Sequence, residues 1–429
     1  MHTIRDMFSF LINLKGNAKA SLLTEPMWGV PFNLYAPFFT LYMFQLGVLD
    51  VQIGLLLALG RLVQVFTALL GGIVTDKFGR RLVTFVGDCL AWSIPALIWA
   101  FAQNFWWFLV AALINSLWQI TAISWECLWL DDVSDDKKKI AQIFNWIYVS
   151  GLLAVFFAPI AGVLVGQHGL VPVVRGIMIF TFISMTAKFI ILYFYSEETE
   201  RGKERMQKNK NISLAQMLLG YKDVFKQLVK SRTMLRAMSL QSLAQVTILV
   251  STTFFALFVT QDLGLPESLL AYFPILRAGI MLIFLFAIQN RLNKFKQRHI
   301  MLVGILLFIA AQWVLVASPA ENWFLPALYI VMEACATASL LPRIDTLAAG
   351  AIDPKERARI RSLFNVVILA VSSPFAAIAG VLSDVDRRLP FMLNVGLFAV
   401  MIIFVIIGGR KVLNRSLPKG HGSIPSQDE

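Results

Sequence analysis

The chain has 429 residues, of which 58% are hydrophobic and 15% charged, and it carries a formal net charge of +12. A soluble domain has about 25% charged residues, so this composition excludes an ordinary soluble protein and points to an all-α or all-β membrane protein. The excess of Lys and Arg is scattered in short segments between apolar runs, which argues against nucleic acid as a partner.

Runs near twenty apolar residues recur along the whole sequence, long enough to cross a hydrocarbon core of about 30 Å as helices. They lack the alternation of barrel strands, and only helices or a closed barrel satisfy backbone polar groups in lipid. Twelve spans are predicted, at 24–45, 51–71, 82–103, 105–130, 140–165, 173–195, 234–260, 268–289, 299–318, 323–348, 361–383 and 390–409. The first has no small-residue cleavage site after it and is expected to stay as a span. With both termini placed in the cytoplasm, external loops hold only Arg175, Arg387 and Arg388, and the spans hold Arg61, Lys188, Arg277 and Arg343. Every other Lys and Arg then lies inside, as the positive-inside rule requires. A multi-pass cell-membrane protein follows, touching anionic lipid with its basic loops.

A polar segment, 196–233, separates a first half (1–195) from a second (234–410), with a tail at 411–429. The later part of that segment reads as an amphipathic helix on the inner leaflet. Ser213 and Gln216 form a capping box, Leu214, Met217, Leu218, Tyr221, Phe225, Leu228 and Val229 make an apolar stripe, and Lys222, Lys226 and Lys230 lie off it. The halves resemble each other at a separation of about 216 to 220 residues, the mark of a six-helix repeat. DDVSDDKKKIAQIFN matches AIDPKERARIRSLFN, with helix starts marked by Ser134 and by Asp353, Pro354 and Glu356. LGRLVQVF likewise faces ILRAGIML and pairs Arg61 with Arg277.

Between the second and third spans lies GGIVTDKFGRRL, in which Gly72, Asp76, Lys77, Gly79, Arg80 and Arg81 are spaced as in the loop motif of the major facilitator superfamily. With twelve spans, a central basic loop and duplicated halves, the chain resembles that superfamily over its whole length. The resemblance implies two pseudo-symmetric six-helix bundles. It also implies that the loop meets the start of the eleventh helix and the acidic end of the fourth, with Asp76 near Ile360 and Arg80 or Arg81 near Asp131 or Asp132. Those contacts would latch the cytoplasmic gate; the plainer alternative is that the charges only enforce topology. The second-half loop, QNRLNKFKQRH, has no glycine and no acid. Ala154, Ala158, Pro159 and Gly162 in the fifth span form a weakened version of a pattern that family exporters carry.

A charge at the centre of a span costs about 2.5–3.5 kcal/mol, so such residues are functional candidates. Arg61 lies fifteen residues before Asp76, roughly 22 Å at 1.5 Å per residue. Arg277, Glu333 and Asn115 reach a similar level. Two arginines could clasp an anion, or Arg277 and Glu333 could neutralise each other. Glu333, Glu126 and Asp345 are the candidates for proton coupling, because burial raises a carboxyl pKa toward the working range. Trp118 and Trp125 in the fourth span are candidates for stacking a substrate, and Gln241 and Gln245, at i and i+4, for hydrogen-bonding one; interface anchoring and helix packing are the alternatives. Cys89, Cys127 and Cys335 all lie within spans and give no disulfide framework. His2, His168, His299 and His421 give no intramembrane metal site. No phosphate-binding loop of the ATPase type occurs, so no cofactor is expected and an enzyme is disfavoured.

The expected function is a monomeric secondary transporter, proton-coupled, moving a small molecule by alternating access, with export of amphipathic compounds as the first reading. The alternatives are uptake of a small anionic or polar metabolite (sugar or organic acid), a non-transporting membrane receptor, and a flippase for a lipid-linked substrate.

Overall fold

The computed structural model describes residues 10–11, 14–133, 136–212, 231–292, 294–351 and 357–407. Among these all regular structure is helical. In chain order the first crossing, α1, occupies 16–45 as a broken helix. It is followed by α2 (Asp50–Phe78), α3 (Arg80–Ala100), α4 (Phe105–Val133), α5 (Lys139–His168) and α6 (Leu170–Tyr195). The second half runs through α7 (Met234–Asp262), the broken α8 (272–292), α9 (Gln297–Val316), α10 (Phe324–Leu347), α11 (Leu363–Val385) and α12 (Leu389–Ile406). Ten of these helices are long and apolar enough to cross a membrane.

The other two of the twelve expected spans fall short for a local reason. In α1 the helix is cut into Gly16–Thr24, Pro26–Tyr35 and Phe39–Gln45, with a 3₁₀ turn at Ala36–Phe38. The breaks fall at Pro26, which starts the second piece at its first turn, and at Pro37 in the 3₁₀ turn, each lacking a backbone donor to continue the preceding helix, while Pro31 lies within the second piece. Just before α8 lies a 3₁₀ turn at Glu267–Ala271; the α-helix then runs over Tyr272–Ile283, and a π-helical turn follows at Phe284–Ile288. The expected amphipathic helix at 213–230, the helix starts at Ser134 and Asp353–Glu356, and the tail at 411–429 lie outside the described residues. A short linker helix, Glu200–Asn209, has no counterpart among the expected elements. Thr199 caps it by accepting a hydrogen bond from Gly202 N at 2.9 Å.

The molecule has a basic end, carrying the Asp76–Arg81 loop and the linker, and a far end, where α1 meets α2 and α7 meets α8. At the far end one continuous buried cluster joins the halves. It includes Phe38, Tyr42 and Val48, Ala158 and Val165 of α5, Phe258 of α7, Leu265 and Leu270, and Phe391 of α12. At the basic end the buried clusters separate by half. Leu11, Leu22, Trp129 and Ile143 form one, and Leu240, Met301, Phe308 and Phe398 form another. Between them the described residues give a small apolar contact, Leu69 with Ala237, Leu363 and Phe364, and a hydrogen bond from Asn365 Nδ2 to Gln119 Oε1 at 3.0 Å.

Helices α2 and α11 approach most closely near the far end. A Cβ on Gly54 would lie 2.7 Å from the Ala376 carbonyl and from Gly380 Cα, so only glycine lets the two backbones touch there. Ser373 Oγ donates to the Ala58 carbonyl at 2.8 Å one turn further on.

Candidate functional site

The charges of the loop motif form a dense network at the basic end. Gly79 adopts φ +88°, a left-handed conformation that interrupts the helix between Phe78 and Arg80 and that other residues adopt at a cost. The restart exposes two backbone donors, and Glu198 takes both, from Arg80 N at 3.1 Å and Arg81 N at 3.0 Å. A carboxylate on the positive end of α3 is electrostatically favoured. Arg80 is 5% exposed, and its Nε reaches Asp131 at 3.0 Å, as the family resemblance implied. Asp131 also accepts from Thr199 Oγ1 at 2.9 Å. Asp132 accepts from Asn17 N at 3.1 Å. The Arg81 guanidinium donates twice to the Tyr193 carbonyl and lies 4.2 Å from the centre of that ring. Half-buried Gly72 lies one turn before Asp76 on α2.

The family resemblance puts Asp76 near the start of α11. Its partners among the described residues are Arg80 at 3.4 Å and Arg205 of the linker helix at 3.7 Å. Lys77 Nζ also reaches into the linker, donating to the Ile212 carbonyl at 3.0 Å. These contacts tie the first half to itself and to the linker.

Among the described residues, the ion pair that joins the two halves lies at the other end. Asp50, at the first turn of α2, is 3% exposed. It accepts from Ser383 Oγ at 2.6 Å and pairs with Arg387 Nε at 3.0 Å, while Arg387 Nη1 reaches Asp262 at 3.1 Å. Gln45 donates to Glu267 beside them. Burial raises the Glu267 pKa above the usual carboxylate range, and the Gln45 bond opposes the rise. The residues Ala154, Ala158, Pro159 and Gly162 of α5 also lie toward this end. The helix is interrupted at 156–157 before Ala158 and Pro159, and a Cβ on Gly162 would lie 2.8 Å from the Ser268 carbonyl and Ala271 Cβ. By sequence alone Arg387 reads as an ordinary loop residue; the signal available is an acid at the start of one span and a base just after another.

Between the ends lie the intramembrane charges. Arg277 Nη2 pairs with Glu333 Oε1 at 3.0 Å, and Thr337 Oγ1 donates to the same oxygen at 3.0 Å. One turn toward the far end, Phe255 stacks on Tyr329 with centroids 5.6 Å apart and meets Phe273 edge-on at 5.1 Å. Arg61 lies seven residues beyond Gly54 and three beyond Ala58 on α2, hence on the face that meets α11. It is half-buried, and no acid among the described residues pairs with it.

The remaining candidates disperse. Asn115 Nδ2 donates to the Ala91 carbonyl at 2.7 Å; a π-helical turn at Cys89–Ser93 frees carbonyls from the regular pattern there. Asn115 thus bonds within the first half. Trp125 packs edge-on against Trp129 at 6.1 Å and against Leu128, Ala20 and Leu192. Trp118 is half-buried where α4 resumes after a break at 116–117. Gln241 Nε2 donates to Asp345 Oδ1 at 3.2 Å near the basic end, with Gln245 one turn further in. Glu126 is half-buried near the same end of α4. A second buried pair escapes sequence reasoning: Lys188 Nζ lies 2.8 Å from Glu25 Oε2 and 5.8 Å from the Trp125 ring. Glu25 sits immediately before Pro26, a position that reads as a helix start rather than as an ion partner.

Comparison with known proteins places these elements in a wider group. Residues 32–393 match the family model described as the MFS_1 like family. An uncharacterized MFS-type transporter, YqjV of Bacillus subtilis, is 28% identical over 132 residues, 30% of this chain and 32% of the relative. The multidrug resistance protein MdtG of Salmonella choleraesuis is 28% identical over 168 residues, 38% of this chain and 41% of the relative. The chain therefore aligns with about a third to two fifths of the length of these relatives. Among solved structures the nucleoside transporter NupG superposes with a TM-score of 0.71 at 15% identity, covering 91% of this chain and 98% of that one. The human organic anion transporter MFSD10 superposes with a TM-score of 0.63 at 15% identity, covering 90% and 98%. At such identities the likeness concerns the fold alone. The extended family match and the two-bundle helical architecture agree, and the chain belongs to the MFS_1 like family of major facilitator transporters, as a multi-pass membrane protein.

Proposed function

We propose that the chain is a proton-coupled secondary transporter of the cell membrane, with the basic end and both termini cytoplasmic, that moves a small solute bearing an anionic group. The observation that carries this reading is Arg61, a half-buried cation on the face between the halves with no described acid partner; counted in residues along α2, it falls at the depth expected for the Arg277–Glu333 pair. The chemistry couples naturally to protons. While Glu333 is ionised it occupies Arg277. A proton on Glu333 releases that guanidinium, so an anion can be held by Arg61 and Arg277 together. Proton and anion would then bind as a pair, which describes symport.

Closure of the far end by a shared core and the Asp50–Arg387–Asp262 network, with separate clusters at the basic end, supports assigning this arrangement to the inward-facing state. The access pathway then opens to the cytoplasm. Arg277, 29% exposed in its side chain in mid-helix, lies on the basic side of the Phe255–Tyr329–Phe273 layer, consistent with such a pathway. Solute is released or admitted there, and the halves then rock about the central charges.

Export of amphipathic compounds is the second reading. It is favoured by the broken α5 around Ala158 and Pro159 and by the name of the MdtG relative. Proteoliposomes with an imposed pH gradient separate the two, with accumulation of organic anions on one side and extrusion of amphipathic dyes on the other. Solute counterflow without a gradient tests transport itself; binding without exchange would indicate a receptor.

A further inference from the structure

In the first half, the corner where the loop after α2 meets α4 is neutralised from within, Arg80 against Asp131 at 3.0 Å. The corresponding corner of the second half is built with the opposite charge. Its loop, Gln289 to His299, carries Arg291, Lys294, Lys296 and Arg298 and neither Asp nor Glu, and the α10 charge that lines this corner is another cation, Arg343.

Arg343 is 5% exposed. Its Nη1 donates to the Ser339 carbonyl of its own helix at 2.6 Å, and no carboxylate among the described residues pairs with it. Asp345 is two residues on, thus on another face of α10, where Gln241 of α7 donates to it. A buried guanidinium without a counter-charge is strongly unfavourable.

Arg343 lines a cavity of about 40 Å³ together with Gln289, Phe295, Gln297, Pro342 and Thr346. One water needs about 10–15 Å³ measured this way, so the space accommodates a group the size of a tetrahedral oxyanion. The Thr346 hydroxyl is used on the Pro342 carbonyl at 2.7 Å. The guanidinium fork and the two glutamine amides remain as donors, which is a set suited to an oxyanion.

We propose that this pocket is an anion site for a phosphate group, either inorganic phosphate or the headgroup of an anionic phospholipid, with Arg343 as its buried anchor. The bound anion neutralises Arg343 and fastens the loop between α8 and α9 to α10. The site is separate from the central charges and does not depend on which solute is carried.

The test uses the purified full chain in phosphatidylcholine nanodiscs and reads the thermal unfolding midpoint. It is compared with inorganic phosphate at matched ionic strength, and with about one lipid in five replaced by phosphatidylglycerol. A saturable rise in midpoint with either anion is expected. A response to phosphate in neutral lipid assigns a free anion; a response to phosphatidylglycerol alone assigns the headgroup. Arg343→Gln should lose the response. Thr346→Glu, which supplies a carboxylate of its own, should raise the midpoint in plain phosphatidylcholine and also lose the response, so the test stands even if Arg343→Gln folds poorly. Absence of a shift in the parent protein with both anions would overturn the proposal. So would a shift that survives unchanged in Thr346→Glu.

Discussion

Replacing Asp50 by Asn should open the far end. The Asp50–Arg387 pair spans 3.0 Å between the halves with the carboxylate 3% exposed. At an effective dielectric of 20 its Coulomb energy is about 5.5 kcal/mol, and breaking a buried pair typically costs about 3–5 kcal/mol. Arg387 keeps Asp262 at 3.1 Å, so the lower figure applies. The loss falls only on conformations closed at the far end, because only there do Asp50 and Arg387 meet. About 3 kcal/mol corresponds to a shift of roughly 150-fold in the closed-to-open ratio, at 1.36 kcal/mol per decade. Ala376, 1% exposed at the α2–α11 contact, reports the change if it is replaced by Cys in a chain without Cys89, Cys127 and Cys335. Labelling by a hydrophilic maleimide should accelerate by up to about two orders of magnitude in Asp50→Asn, because its rate follows the open population. An equal labelling rate in the folded variant and its parent would refute the reasoning, since the far-end ion network would then contribute nothing to closure.

Other consequences concern the same pathway. Gly54→Val puts a side chain where even a Cβ would come within 2.7 Å of the α11 backbone; it should prevent far-end closure and abolish counterflow, and normal exchange rates would contradict that packing. Glu333→Gln should leave binding intact but remove the dependence of accumulation on a pH gradient; proton-driven accumulation in that variant would exclude Glu333 from coupling. Arg61→Ala should weaken binding of anionic solutes by about tenfold to a hundredfold, as expected for a lost charged hydrogen bond of about 1.5–3 kcal/mol, and leave neutral solutes unaffected; equal loss for both classes, measured by thermal shift, would make Arg61 structural. Glu267 has a pKa raised by burial in the closed far end, so its neutral form favours closure: the closed state gains as pH falls through the raised pKa and loses that gain as pH rises above it. The distance between spin labels at Gln103 and Glu321 across the far end should therefore shorten at acidic pH, and Glu267→Gln should flatten that profile.

The crossings were legible in the sequence because lipid demands long apolar helices; the expected 105–130 and the observed Phe105–Val133 differ by three residues at one end. The breaks in α1 and α8 are less legible, since hydropathy does not register where Pro26 and Pro37 divide a continuous apolar run. The motif makes a contact of Arg80 or Arg81 with Asp131 or Asp132 legible, and the structure selects Arg80 with Asp131; common depth makes an Arg277–Glu333 pair one of two readings, beside two arginines clasping an anion. Glu198 and the linker helix are not legible because SEETERGKER reads as a solvated charge run, and only the tertiary fold brings its second Glu to the restart of α3 at Gly79. The Asp50–Arg387 contact spans 337 residues, and a spacing that long leaves no periodic trace.

Distances between spin labels on the two halves test the central claim most directly. One pair, at Gln103 and Glu321, spans the far-end loops, and a second, at Leu82 and Lys296, spans the basic end; all four positions are exposed. Rocking of the halves predicts that on addition of transported solute and protons the far-end distance lengthens as the basic-end distance shortens. Two distances that stay fixed during turnover, or that change in the same direction, would contradict it.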